Sequence, residues 1–176
     1  FSAMLAMRVD LGNEGPTGHF YNPLHSMKHV RKSVLLWYSP REMFDLVVGF
    51  QDYPRFLPWC ESAELIEQHE DGVTARLGLA YMGVRHAFTT RNHNIPGERV
   101  ALQLVDGPFS LLDGTWVFLP LGRPGSDTPA CKVEFDMRYA FSSKPLETVV
   151  SPVFDRVANT FVDSFVKRAE EVYGPR

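Results

Sequence analysis

Two hydrophobic rhythms divide the chain. The plainest two-residue period runs over 130–141. Cys131, Val133, Phe135, Met137, Tyr139 and Phe141 fall on one face, and Lys132, Glu134, Asp136 and Arg138 on the other. Such alternation predicts a half-buried antiparallel strand. Upstream, the stretches 63–68, 73–81, 84–94, 99–105 and 115–121 are rich in β-formers. They are separated by Glu70-Asp71-Gly72, Met82-Gly83, Pro96-Gly97, Asp106-Gly107-Pro108 and the turn-rich 122–129. Tight turns between strands of this length predict a meander of hairpins. After Ser142-Ser143-Lys144-Pro145 the period becomes helical. Leu146, Val149, Val150, Val153, Phe154, Val157, Phe161 and Phe165 recur at steps of three and four, and Lys167 to Glu171 form a charged end. Pro152 within that run predicts a bend, because it removes one backbone donor.

The segment 30–38 reads as a first strand. Ser39-Pro40-Arg41-Glu42 then supplies a cap, a proline suited to the first helical position and the glutamate of a capping box. Met43, Phe44, Leu46, Val47 and Phe50 form the apolar face of a helix that should stop at Gly49, and 52–56 predicts a second short helical turn. An amphipathic terminal helix following an antiparallel sheet needs a surface to cover, and the sheet is the only large one available. The expected fold is therefore α+β: about seven strands curved around a long C-terminal helix, with two short helices after the first strand. Residues 1–26, punctuated by Gly12, Gly15, Pro16, Gly18 and Pro23, lack periodicity and read as a flexible extension from upstream or added sequence. The domain is expected to span 27–176.

With 176 residues, one domain is expected. The 12% aromatic content suits a large core, or a core with an apolar hole in it. A formal charge of −3 gives no global attraction for polyanions, and no DNA partner is expected. Cys60 and Cys131 lie in no metal-ligand spacing and read as buried thiols of a reducing compartment. No apolar run approaches the roughly 18 residues of a membrane span. The expected location is cytoplasmic, with peripheral contact at the inner membrane as a variant.

Asp52-Tyr53-Pro54, Phe56-Leu57-Pro58-Trp59-Cys60, Phe88-Thr89-Thr90-Arg91-Asn92 and Val105-Asp106-Gly107-Pro108-Phe109 stand in an order that carries further meaning. They are followed by Gly114, Trp116, Phe118, Pro120 and Leu121, and by Arg168-Ala169 with Val172-Tyr173. Over 27–173 the chain resembles the START-like, Bet v 1-like helix-grip superfamily. It is most similar to the polyketide cyclase/dehydrase-like branch that holds coenzyme Q-binding proteins and the bacterial ribosome-association toxin. One departure is that relatives usually carry a basic residue after Gly-Pro-Phe, where this chain has Ser110-Leu111-Leu112.

Enzyme motifs are missing: HExxH, a glycine-rich phosphate loop and GxSxG are all absent from the sequence. His86, Arg91 and His93 form the best polar cluster, yet an odd step sends the two histidines to opposite faces of a strand. Either could act as a cavity base, as cyclase chemistry requires, but without a partner motif the simpler reading is a surface or hydrogen-bonded histidine. Arg91 could hold a quinone carbonyl or lipid phosphate; alternation places it opposite Phe88, which favours a decorative outer-face role.

The resemblance implies a tunnel between sheet and helix. Phe109, Trp116, Phe135, Met137, Phe154, Val157 and Phe161 are the expected lining, with Phe56, Leu57 and Trp59 at a rim that touches a membrane during loading. Phe109, held by the Asp106-Gly107-Pro108 turn, is expected to act as a lid. The leading expectation is non-catalytic binding of ubiquinone or a related lipid in support of respiratory electron transport, with no required cofactor and no metal. One alternative is a factor that binds the large ribosomal subunit and blocks subunit joining, with Arg31, Lys32, Arg41 and Arg55 contributing a basic face. An oligoketide cyclase or dehydrase is the other.

Overall fold

The computed structural model describes residues 27–122 and 127–176. The extension expected over 1–26 and the middle of the 122–129 turn lie outside the described residues. The elements run β1 (Lys28–Leu36), α1 (Pro40–Val48), a 3-10 turn (Phe50–Asp52) and α2 (Tyr53–Phe56). The strands β2 (Cys60–His69), β3 (Gly72–Tyr81), β4 (Val84–Ile95), β5 (Arg99–Asp106), β6 (Phe109–Pro120) and β7 (Cys131–Phe141) follow, then α3 (Lys144–Tyr173). This is the expected α+β helix-grip order.

The seven strands form one antiparallel sheet in the order β1-β7-β6-β5-β4-β3-β2. Each strand from β2 to β7 pairs with its neighbour in sequence, so hairpins build most of it. The exception is β1, which joins beyond β7; α1 and α2 then carry the chain across to β2 at the opposite edge. Ser39 caps α1 as expected: its Oγ accepts the Glu42 N–H at 3.0 Å, and Glu42 Oε1 accepts the Ser39 N–H at 3.0 Å. Helix α1 ends at Val48 with Gly49 as its C-cap.

Alternation along β7 holds as far as Tyr139, with Cys131, Val133, Phe135, Met137, Tyr139 and Phe141 all buried; at its end Ala140 is buried as well. One long helix covers this inner face. On α3, Val150, Val153, Phe154, Val157, Ala158, Val162, Phe165 and Ala169 are buried. Val149, expected on the apolar face, is 55% exposed. At 100° per residue it lies well round the helix from the Phe154–Phe165 line, and the small residues Ala158 and Ala169 take the close-contact positions instead. The helix continues through Pro152, where the neighbouring Ser151 accepts a hydrogen bond from Lys28 Nζ at 2.6 Å.

Strand β6 starts six residues before the expected 115. Ser110 to Gly114 carry little β-propensity, but pairing with β7 on one side and β5 on the other extends the strand. Two lysines of β1 face inward. Lys28 pairs with Asp155 and Tyr139 donates to the same carboxylate at 2.6 Å, while Lys32 Nζ lies 4.0 Å from Asp163. Four residues of strand advance about 13 Å and eight of helix about 12 Å, so the two pairs act as parallel rungs from the edge strand to α3.

The Asp106–Pro108 turn is tight for a specific reason. Gly107 has φ +148°, and a Cβ there would stand 2.8 Å from Phe88 Cβ. Gly107→Ala is expected to lower unfolding stability by about 1–3 kcal/mol through backbone strain and that clash. Urea melts would read the loss, and an unchanged midpoint would contradict the close approach.

Candidate functional site: an apolar cavity beneath the helix

Between the concave sheet and α3 lies a cavity of about 60 Å³. Its walls come from the connection before β2 and from strands β3 to β7: Phe50, Tyr53 and Trp59 before β2, Leu77 of β3, Phe88, Thr90 and Asn92 of β4, Leu102 of β5, Leu112 and Trp116 of β6, and Met137 of β7. Phe154, Val157, Ala158 and Phe161 of α3 close it. Even-numbered residues of β4 face inward because the strand is regular over 84–93, and this places Thr90 and Asn92 beside Phe88.

Six of the ten residues expected at a ligand site lie on this wall: Trp59, Trp116, Met137, Phe154, Val157 and Phe161. The other four support it from behind. Phe135 packs on Trp116 at 4.6 Å and on Phe161 at 5.7 Å between ring centroids. Phe109 stacks on Phe141 at 5.3 Å and meets Phe154 at 4.8 Å, so it is wedged into the aromatic end of the core. Leu57 is buried, and Phe56 packs edge-on against Phe165 under the Arg168 guanidinium. Phe56 therefore covers the C-terminal half of α3, and neither residue borders the cavity. Phe50, Tyr53, Thr90, Asn92, Leu102 and Leu112 were not anticipated. Alternation from Phe88 could have found Thr90 and Asn92, whereas Leu112 was hidden in a stretch that did not read as strand.

Chemically the wall is quiet. It holds no carboxylate, histidine, lysine or arginine. Tyr53 is its one titratable residue; burial drives its phenol far above the ordinary range, and its hydroxyl donates to the Val47 carbonyl. Thr90 donates to Asn92 Oδ1 at 2.8 Å, which gives the cavity one polar corner. Both cysteines are buried free thiols, and burial pushes Cys60 up to about 11 and Cys131 to about 12. Among the described residues no group of three or more His, Cys, Asp or Glu could hold a metal, and no helix is long and apolar enough to cross a membrane.

The polar cluster of β4 divides between the two faces. His86 pairs across to Leu79 on the inner side, whereas His93 Nδ1 and Arg91 meet Asp71 at the β2–β3 turn on the outer side. The bonds from His93 and Arg91 hold the Asp71 carboxyl down at about 2. The expected basic face is also changed. Lys32 is buried beneath α3, since strand alternation turns it inward with Val30, and it cannot contribute to a surface. Arg31 pairs with Asp136, Arg41 with Asp45 and Arg55 with Asp52, so each remaining cation has a carboxylate beside it.

An antiparallel sheet gripping one long helix over an apolar, aromatic-lined cavity defines a helix-grip protein. More narrowly, the chain belongs to the polyketide cyclase/dehydrase and lipid transport family, whose model matches residues 36–166. It is 38% identical over 146 residues to the ribosome association toxin RatA of Pseudomonas aeruginosa, covering 83% of this chain and 98% of that one. To RatA of Vibrio cholerae it is 40% identical over 148 residues, 84% and 99% of the two chains. The coenzyme Q-binding protein COQ10 homolog B of Xenopus laevis is 30% identical over 157 residues, 86% of this chain and 63% of that one. Among solved structures the Zhui aromatase/cyclase of Streptomyces superposes with a TM-score of 0.69 at 16% identity, covering 82% and 94% of the chains; that likeness is one of fold.

The Asp71 cluster yields a pH test. A carboxyl held below its ordinary 3.8 contributes stability above that value, and the contribution is lost as pH falls towards about 2. Asp71→Asn should therefore be less stable than the parent at pH 6, with the gap closing between pH about 4 and 2. Melting temperatures across that range would show it; a gap independent of pH would mean the carboxylate is not the source.

Proposed function

We propose that this protein is a ribosome-associating factor that works by binding, without catalysis, at the large subunit, where it blocks subunit joining. The observation that carries this reading is end-to-end similarity to ribosome association toxins, at 38–40% identity over 98–99% of their length. Two physical features support it. The cavity wall lacks an acid or base able to exchange protons near neutral pH, which counts against cyclase or dehydrase chemistry. At about 60 Å³ the cavity is also far smaller than the roughly 300–1,000 Å³ of pockets that enclose drug-sized ligands.

The surface chemistry sets the expected strength of ribosome binding. Net charge is −3 and the candidate cations sit beside carboxylates, so few phosphates can be neutralised. Co-sedimentation with ribosomes is expected at about 50 mM salt, weakening roughly tenfold by about 200 mM, as for some two phosphate contacts. Failure to sediment with ribosomes or their large subunits at either salt would overturn the reading.

Carriage of a ubiquinone-like lipid is a second reading, favoured by the aromatic wall and by similarity to a coenzyme Q-binding protein. Burying an isoprenoid tail would release roughly 25 cal/mol per Å² before ordering costs. It requires the cavity to open, with Phe161 or Trp59 moving aside. Native mass spectrometry with lipid extraction, on protein purified from its own source, should then find quinone near one per chain. An empty protein that takes up no added quinone would exclude it.

A further inference from the structure

Two voids meet at Trp59. Outside the cavity, a cleft of about 190 Å³ lies between α3, the loop before β2 and the end of β3. Trp59 and Val157 line both spaces, so these two side chains form the partition. Trp59 is 5% exposed and its Nε1 hydrogen is buried with no acceptor among the described residues. A sealed donor without a partner is costly, and a ligand oxygen would remove that cost.

The outer cleft has a matching polarity. Arg156 lies exposed on its wall with its guanidinium 5.9 Å from the centre of the Tyr81 ring, and no carboxylate among the described residues forms an ion pair with it. Stacking on Tyr81 leaves the edge donors of the guanidinium available. Thr160 and Ser164 donate back to the Arg156 and Thr160 carbonyls at 2.8 and 3.2 Å, so their hydrogens are committed to the helix. The cleft thus offers a cation, the partition behind it holds a buried indole N–H, and its wall carries no acid.

We propose that this cleft is the head-group site for a single-chain anionic amphiphile. Its carboxylate or phosphate sits at Arg156, and its chain enters the cavity as Trp59 swings from Val157 and Phe161 gives way, a movement that turns the Trp59 hydrogen towards one of the head-group oxygens. This rests on the ligand-carrying reading of the cavity and is independent of ribosome binding.

Calorimetric titration of the full chain with dodecanoate, dodecyl phosphate, dodecanol and inorganic phosphate tests it. Dodecanoate or dodecyl phosphate should bind at least about tenfold more tightly than dodecanol, and the better of the two identifies the head. Arg156→Gln, a change at an exposed side chain, should reduce both anions to the affinity of the alcohol. Trp59→Phe, which keeps an aromatic ring and removes the donor, should weaken them severalfold; because it also leaves a void beside Phe88 and Phe161, its loss of affinity for the anions is read against that for dodecanol, which should be smaller. Equal binding of anions and dodecanol, or an unaltered affinity in Arg156→Gln, would remove the head-group site while leaving the cavity a ligand site. Binding of no chain-bearing probe would remove both. Inorganic phosphate binding as tightly as dodecyl phosphate would show an anion site without a chain and overturn the amphiphile.

Discussion

The structure depends on burying one face of a 30-residue helix against a sheet that must curve to reach it. Helix α3 is amphipathic, and by itself its aromatic and aliphatic stripe would face water. Strands β3 to β7 carry most of the surface that removes it, and β2 adds little. Each fully buried aromatic or aliphatic side chain is worth about 1.5–3 kcal/mol, which makes this interface the main source of stability. Where α3 passes over β6 and β7, Trp116, Phe135, Phe161 and Phe165 pack at centroid distances of 4.6 to 5.7 Å. Edge strand β1 gains little from that aromatic column. Inward-turned lysines bind it to α3 through Asp155 and Asp163.

The cavity is the residue of this geometry. A curved sheet cannot match a straight cylinder along its whole length, and the mismatch falls beneath the middle of α3, where Ala158 replaces a larger side chain. Large rings then reclaim most of the space: Trp59, Phe88, Trp116 and Phe161 all lean on it. What is left is apolar, small and without proton-transfer groups. A protein built this way can enclose an oily chain only by moving aromatic side chains, and can recognise a macromolecule only with its outer face. Relatives whose names point to ribosomes and to coenzyme Q reflect those two options on one scaffold.

Much of the fold was legible because its periodicities are strong. The alternation of β7, the Ser39 capping box and the helical stripe after Ser143 each have one dominant physical cause, and each appears in the structure. The errors share a different cause. Ser110 to Gly114 become strand only because β5 and β7 lie alongside, and Lys32 is buried only because β1 pairs with β7 in one register. The candidate lining divided less cleanly. Trp116, Met137, Phe154 and Val157 on regular elements reach the cavity, as does Trp59 from the loop before β2, whereas Phe109 and Phe135, on strands, pack behind it. Phe56 and Leu57, read from a loop, could not be assigned to one side of α3 or the other without the tertiary path. The branch of the superfamily was legible from the ordered motifs, whereas the size of the cavity was not, since it depends on how far each ring leans inward.

Placement of charge separates the two faces further. Asp71, Asp113 and Asp136 lie outside, each paired with an arginine, and His29 and His93 share the Asp136 and Asp71 carboxylates. An outer surface so matched has short-range polar texture but little long-range field, because opposite charges a few ångströms apart cancel beyond a Debye length of about 8 Å. Under the proposed ribosome reading, recognition of an RNA-rich partner by such a surface must rest on shape and on exchange of carboxylate partners for phosphates at contact. Long-range attraction would bring it to any polyanion. A surface with little such attraction keeps away from most RNA and gains its contacts only where the fit is close, and the acidic net charge strengthens that discrimination.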